Sequence, residues 1–105
     1  MRRGEVWWAE LPSPIGRRPV LLLSRDVAYR VRTSITVAIL TRVARNIPVE
    51  VSLGSEDGMP QQCVANLDDI LTIPKARLTE RITMLSPQKM TAVARAAIFA
   101  LDLKV

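Results

Sequence analysis

The chain is 105 residues long, 49 % apolar and 24 % charged, which fits one domain with a modest core and excludes wholesale disorder. None of its unbroken apolar runs, VLLL among them, approaches the roughly 18 residues of a membrane span, and MRRGEVWWAELP lacks the apolar stretch of a secretory signal. With no histidine and a single cysteine, Cys63, it can form neither a Ser-His-Asp triad nor an internal disulfide, and a zinc site would have no imidazole and one thiolate. The expectation is a soluble cytoplasmic protein with no membrane partner.

The net charge of +5 is unevenly spread. Residues 1–47 carry nine arginines and no lysine against three acids, while residues 48–105 carry six cations against seven acids. Arginine presents a planar fork that matches phosphate and stays charged at any relevant pH. These arginines flank loops rather than coat a helix, so the expected partner is a polyanion.

In chain order, Glu5–Leu11 is rich in aromatic and apolar residues and closes at PSPIG, which predicts a first strand with Trp7 and Trp8 on opposite faces. PVLLLS (19–24) predicts a fully buried second strand approached through the basic pair Arg17-Arg18, and the β-branched SITVAILT (34–41) a third. PVEVSL (48–53) alternates, with Val49, Val51 and Leu53 inward and Glu50 and Ser52 outward. QCVANL and RITML predict further short strands, separated by GSEDGMP and by DDILTIPKARL, which mixes strand and turn signals.

The C-terminal segment changes period. Ser86 is placed as an N-cap with Pro87 at the first helical position and a Leu85–Met90 staple. Met90, Val93, Ala94, Ala97, Ile98 and Leu101 then form the expected apolar stripe, with Phe99 on the opposite face as a subunit or partner contact. Five or six short strands in a meander plus one helix predict a mainly β (α+β) fold, a small SH3-like β-barrel with a C-terminal α-helix, as one domain over residues 1–105. No phosphate-binding glycine loop is present, so no nucleotide cofactor is expected.

Among residues able to do chemistry, the acidic pairs Asp68-Asp69 and Glu56-Asp57 are better explained by turns or caps than by a metal, since neighbours on a strand diverge. Cys63 is read as a small core residue. RNA carries its own nucleophile, the 2′-hydroxyl, so arginine and a hydroxyl could suffice to align it and to stabilise charge on phosphorus. Thr41, just before Arg42, is one of many hydroxyls that spacing alone permits.

Four segments in order, MRRGEVWWAEL, RRPVLLLSRD, ITVAILT and TIPKARLTERITMLSPQKM, resemble the MazF/PemK family of toxin endoribonucleases over nearly the whole chain. The resemblance implies an SH3-like barrel assembled as a homodimer. It implies the toxin of a type II toxin–antitoxin system that cuts single-stranded mRNA without metal or other cofactor, leaving a 2′,3′-cyclic phosphate and a 5′-hydroxyl. The implied protein partner is an antitoxin whose acidic, disordered tail occupies the RNA groove. The family's catalytic arginine, the one before the proline, falls on Arg18, and its catalytic hydroxyl on Thr41. Arg3, Arg17, Ser24, Arg25, Arg42 and Asp69 fall at implied RNA-binding positions, with Arg17 contacting flanking phosphate or nothing.

The chain departs from the family in three places. Only PSPIG separates Leu11 from the Arg17-Arg18 pair, Asp68-Asp69 stands where many members have Glu-Gln or Asp-Gln, and Arg25 stands where many have Asn. Base preference is therefore not carried over from relatives. Two other readings are a gyrase-poisoning toxin on the same barrel, which that branch ties to a C-terminal tryptophan where this chain has LDLKV, and a barrel that only grips RNA or DNA phosphates.

Overall fold

The computed structural model describes all 105 residues. Six strands form one antiparallel sheet: β1 (Glu5–Glu10), β2 (Arg17–Leu22), β3 (Ser34–Thr41), β4 (Glu50–Leu53), β5 (Cys63–Pro74) and β6 (Leu78–Met84). A short helix α1 (Ala28–Val31) lies between β2 and β3, and α2 (Pro87–Leu101) follows β6. The strand order β4-β5-β3-β2-β1-β6 is a meander only through β1 to β3, because β5 docks beside β3 and β6 returns to the far side of β1.

The sheet curls into a half-closed barrel. Its two edges approach through the 3₁₀ turn Ser55–Asp57, where Thr83 Oγ1 of β6 donates to the Asp57 carbonyl at 2.9 Å. Gly58 ends that turn at φ +84°, and a Cβ there would stand 2.4 Å from Thr83 Oγ1, so glycine is required by both backbone and space.

Each face of the sheet has its own core. On one, Leu21, Ala38, Leu40, Leu53, Ala65 and Leu67 pack with Val93 and Ala96 of α2. On the other, Ala9, Val20, Leu22, Ile35, Val37, Ile73 and Leu78 pack around Tyr29 of α1. Val20, Leu21 and Leu22 thus alternate between two buried faces, which is why the VLLL run contains no polar residue.

The boundaries of β3 are those the sequence predicts, whereas three expectations need correction. β2 begins at Arg17, so the arginine pair is part of the strand, opposite Glu10 and Ala9 of β1. The segments expected as a short strand and an irregular stretch form a single strand, β5. It survives as one element because it bends: Ala38 opposes Ile70 but Leu40 opposes Ala65, so Asn66–Asp69 bulge opposite one residue of β3. Asp68-Asp69 therefore lies in a bulge rather than a turn or cap. Asp57 does cap, accepting the Gly54 N–H at 2.9 Å.

The start of α2 is as expected, with Pro87 in its first turn and Ser86 Oγ accepting the Lys89 N–H at 3.1 Å. Its inner line is rotated by roughly 70° from the predicted stripe, at 100° per residue. The buried residues are Val93 and Ala96, with Met90, Ala97 and Ala100 beside them, and Leu101 is 56 % exposed. Small alanines let the helix lie close against β4 and β5, which Ile98 and Leu101 on the inner line would prevent. Phe99 is 61 % exposed, off the inner face as predicted.

Candidate active site

Arg18 and Thr41 end up side by side because of strand register. β2 and β3 pair as Val20↔Ile39, Leu21↔Ala38 and Leu22↔Val37, and the same count continued places Arg18 opposite Thr41. Directly opposite residues share a face, so both side chains extend the Val20–Ile39 side of the sheet. The β2–β3 ladder stops short of them. Arg18 is held instead by its pairing with Ala9 of β1, and Thr41 by its pairing with Val64 of β5. Two adjacent strands are drawn apart by their outer neighbours, and a cleft opens between them.

Two cavities meet in that cleft. The larger, about 550 Å³, is bordered by Trp8, Arg17, Arg18, Thr41, Arg42 and Cys63, together with the Met59–Gln61 loop. The smaller, about 350 Å³, is bordered by Arg18, Thr41, Arg45, Glu50, Asn66 and Asp69. Arg18, Thr41 and Val43 border both.

Arg18 is half-buried, and its guanidinium takes part in none of the molecule's ion pairs or side-chain hydrogen bonds, so its N–H donors are unspent. Pro19 sets its own φ and holds the preceding residue extended, which fixes the base of the Arg18 side chain. Thr41 Oγ1 accepts a long hydrogen bond of 3.4 Å from the Val43 N–H, leaving its O–H free to donate. The neighbouring Arg17 has the opposite fate. Its guanidinium carbon lies 4.2 Å from the centroid of the Trp8 ring, and its nitrogens stand 3.5 Å from Glu10 and 3.6 Å from Glu80. Arg17 thus has partners within the chain.

The site has no activated thiol. Burial pushes the Cys63 thiol above its ordinary value and the Asp57 charge adds to the effect, so Cys63 stays protonated and contributes packing to the core and to one cavity wall.

A family model described as the PemK-like, MazF-like toxin of type II toxin–antitoxin systems matches residues 2–101. The chain belongs to this family. It is 46 % identical over 92 residues to the probable endoribonuclease MazF2 of Mycobacterium tuberculosis, covering 86 % of this chain and 87 % of that protein. Among solved structures it resembles the Mycobacterium tuberculosis toxin MazF-mt6, with a TM-score of 0.88 and 33 % identity over 96 % of this chain and 99 % of that one. It also resembles a mycobacterial endoribonuclease in complex with its cognate antitoxin, with a TM-score of 0.89 and 27 % identity over 100 % and 98 % of the two chains.

In this MazF-like chain the predicted site residues divide into two groups. Arg17, Arg18, Thr41, Arg42 and Asp69 gather at the cleft. Arg3, Ser24 and Arg25 lie beyond the other end of β2, roughly 20 Å along an extended strand from Arg18. There the Arg3 N–H donates to Asp26 Oδ1 at 2.7 Å, and its guanidinium donates to the Leu23 carbonyl. Ser24 Oγ accepts the Thr36 N–H at 2.8 Å and its carbonyl accepts the Tyr29 hydroxyl at 3.0 Å, while Arg25 is exposed.

The sequence reading missed three residues of the toxin's cleft. Alternation puts Trp7 and Trp8 on opposite faces, one for the core and one packed under a loop or open to a partner, without choosing between them; it hides Asn66 inside a strand and points Glu50 outward. Glu50 Oε1 instead accepts the N–H groups of Arg45 and Asn46 at 2.9 and 3.0 Å, cinching the loop between β3 and β4. Asn66 carried the one available signal, a polar residue inside the run CVANL, and it is 6 % exposed.

Proposed function

We infer that the chain is the endoribonuclease toxin of a type II toxin–antitoxin system, cleaving single-stranded mRNA at the cleft between β2 and β3. The observation that carries this reading is the register that sets an unpaired guanidinium opposite a free hydroxyl where two cavities meet. Family membership and the endoribonuclease and antitoxin-complex relatives support it.

In the proposed reaction the 2′-oxygen forms a bond to the adjacent phosphorus and loses its proton, while the bond from phosphorus to the 5′-oxygen breaks and that oxygen gains a proton. The products are a 2′,3′-cyclic phosphate and a 5′-hydroxyl. Arg18 stabilises the charge gathering on the non-bridging oxygens, because a guanidinium cannot serve as a base near neutral pH. Thr41 donates its O–H to one of those oxygens. Arg42 and Asp69 contact the strand within the cleft and Trp8 offers a ring for base stacking. Arg17 braces Trp8, while Arg3, Ser24 and Arg25 contact RNA farther along.

The arginine-rich N-terminal half also suits an acidic antitoxin segment, and exposed Phe99 and Leu101 suit a homodimer contact. No helix is long and apolar enough to cross a membrane, and an mRNA substrate assigns the protein to the cytoplasm. The test is purified protein incubated with a long single-stranded RNA in excess EDTA. Discrete fragments with 5′-hydroxyl ends are expected. Intact RNA with steeply salt-dependent binding would replace this reading with a phosphate-gripping barrel.

A further inference from the structure

The loop between β3 and β4 reaches the cleft but has no core of its own. Residues 42–48 are all exposed, yet Arg42 borders the larger cavity, Arg45 the smaller and Val43 both. Burial does not fix this loop, so its shape depends on its hydrogen bonds.

Those bonds converge on one side chain. Glu50 Oε1 accepts the Arg45 N–H at 2.9 Å and the Asn46 N–H at 3.0 Å, and the Glu50 N–H donates to the Ile47 carbonyl at 3.0 Å. Bonds from N–H groups to a carboxylate oxygen are stronger than those between neutral groups. Here they hold Asn46 at φ +55°, a left-handed conformation that an L residue seldom keeps unaided. At the start of the loop the Val43 N–H donates to Thr41 Oγ1 at 3.4 Å. That bond occupies one acceptor site of the hydroxyl and so restricts where its O–H can point.

Glu50 has no free atom to offer a substrate. Oε1 has its two donors, and Oε2 is buried without a hydrogen-bond partner. Any influence on cleavage must therefore pass through the loop. We propose that Glu50 is a positioning residue for the cleavage reaction. By clasping Arg45 and Asn46 it keeps Val43 where its N–H orients the Thr41 hydroxyl, and it keeps the Arg45 side chain at the cleft. This rests on the endoribonuclease reading, in which Thr41 donates to a non-bridging phosphoryl oxygen.

The two effects separate kinetically. A hydroxyl that donates in the transition state must be aimed, and a small misplacement lowers kcat. Arg45 attracts phosphate in the ground state and the transition state alike, so its placement is read in KM. Loss of the clasp should lower kcat through Thr41 and raise KM through Arg45.

The test uses Glu50→Ala, which removes the clasp, and Glu50→Gln, which keeps a side-chain carbonyl for the two N–H groups and removes the charge. Cleavage of a single-stranded RNA that the wild type cuts is measured in EDTA for both, for Thr41→Val, and for Glu50→Ala combined with Thr41→Val. Glu50→Ala is expected to lose about tenfold in kcat and to raise KM, with Glu50→Gln recovering most of the kcat. In the Thr41→Val background the kcat loss from Glu50→Ala should vanish while the rise in KM persists. Hydrogen exchange at the Arg45 and Asn46 amides should be slow in wild type and Glu50→Gln and fast in Glu50→Ala. The loop lies outside both core clusters, so melting curves should stay close to wild type.

An equal kcat loss from Glu50→Ala in both backgrounds, or no recovery in Glu50→Gln, would overturn the positioning role and leave the endoribonuclease reading intact. Unchanged amide exchange in Glu50→Ala would overturn the clasp whatever the rates. Absence of cleavage by wild type would overturn the endoribonuclease reading and the catalytic role of Glu50 with it.

Discussion

Replacing Arg18 with alanine should separate chemistry from folding. The side chain is half-buried and has no ion pair or side-chain hydrogen bond to lose, so its removal should cost no more than about 0.5 kcal/mol, as for an ordinary surface change. For a domain of this size 1 kcal/mol moves the melting temperature by about 4–8 °C, so Arg18→Ala should melt within about 4 °C of wild type. Its rate should fall by about 10² to 10³, the usual loss for one preorganised charge-stabilising donor. Arg17→Ala should show the reverse pattern. It loses partly exposed contacts to Glu10 and Glu80 and the stack on Trp8, together worth about 1 kcal/mol, and so should melt lower by about 4–8 °C while retaining most of its turnover. Single-turnover cleavage of a fluorophore-quencher RNA in EDTA gives the rates, and circular dichroism melts give the stabilities. Full activity in Arg18→Ala, or a larger rate loss from Arg17→Ala than from Arg18→Ala, would refute the assignment.

Three further outcomes follow from the same structure. Thr41→Val keeps the shape of the side chain and loses a hydroxyl whose only contact is the long Val43 bond, so cleavage should fall about a hundredfold with little change in melting; an unchanged rate removes Thr41 from the mechanism. Tyr29 is pushed up to about 12, first by burial, so stability is intact below the ordinary pKa of 10.0 and is lost as pH rises from there toward 12. Tyr29→Phe gives up the hydroxyl bond to the Ser24 carbonyl but should have a flatter melting profile over that range than wild type, and parallel profiles would count against it. Glu5 is subject to burial, which raises its pKa, but donors from Trp7, Arg81 and the Arg2 backbone outweigh it and leave the carboxyl below 4.5. Its stabilisation is present above pH 4.5 and is lost as pH falls through the lowered value, so Glu5→Gln should be less stable at neutral pH and should lose less on acidification than wild type.

What the sequence conveyed well was whatever depends on local periodicity. The β3 bounds, the doubly buried β2 and the Ser86-Pro87 helix start all follow from side-chain alternation or capping chemistry within a few residues. Features set by neighbours in space were hidden. Asp68-Asp69 reads as a turn or cap, yet it lies in a bulge because β3 supports the strand on both sides of it. Helix α1 has four residues, too few to show a period. The face that α2 buries was decided by how closely alanines approach β4 and β5, which no single-helix projection contains. Motif resemblance names Arg18 and Thr41 as candidates and the β2–β3 register sets them side by side, whereas the separation of Arg3, Ser24 and Arg25 from them is a consequence of strand length. Glu50 was misread because alternation predicts a face but not a loop folding back over it.

The β5 bulge and the cleft are mechanically one feature. Beyond Ala38 the register of β5 against β3 changes by three residues, which lets Cys63–Asn66 pair with β4 while Val64 still holds Thr41. That arrangement fixes the end of β3 from the β5 side, just as Ala9 fixes Arg18 from the β1 side. The slack taken up by the bulge is Asn66–Asp69, two of whose residues line the smaller cavity. Strand alternation completes the division of labour at the adjacent arginines. One step along β2 turns the side chain to the other face, so Arg17 is stacked and ion-paired while Arg18 remains unpaired beside Thr41. A one-residue slip of β2 against β1 would exchange those faces, turning Arg18 away from Thr41 and moving Arg17 off its position opposite Glu10. If Arg18 serves the reaction as proposed, the β1–β2 register that presents it is needed as much as the arginine itself.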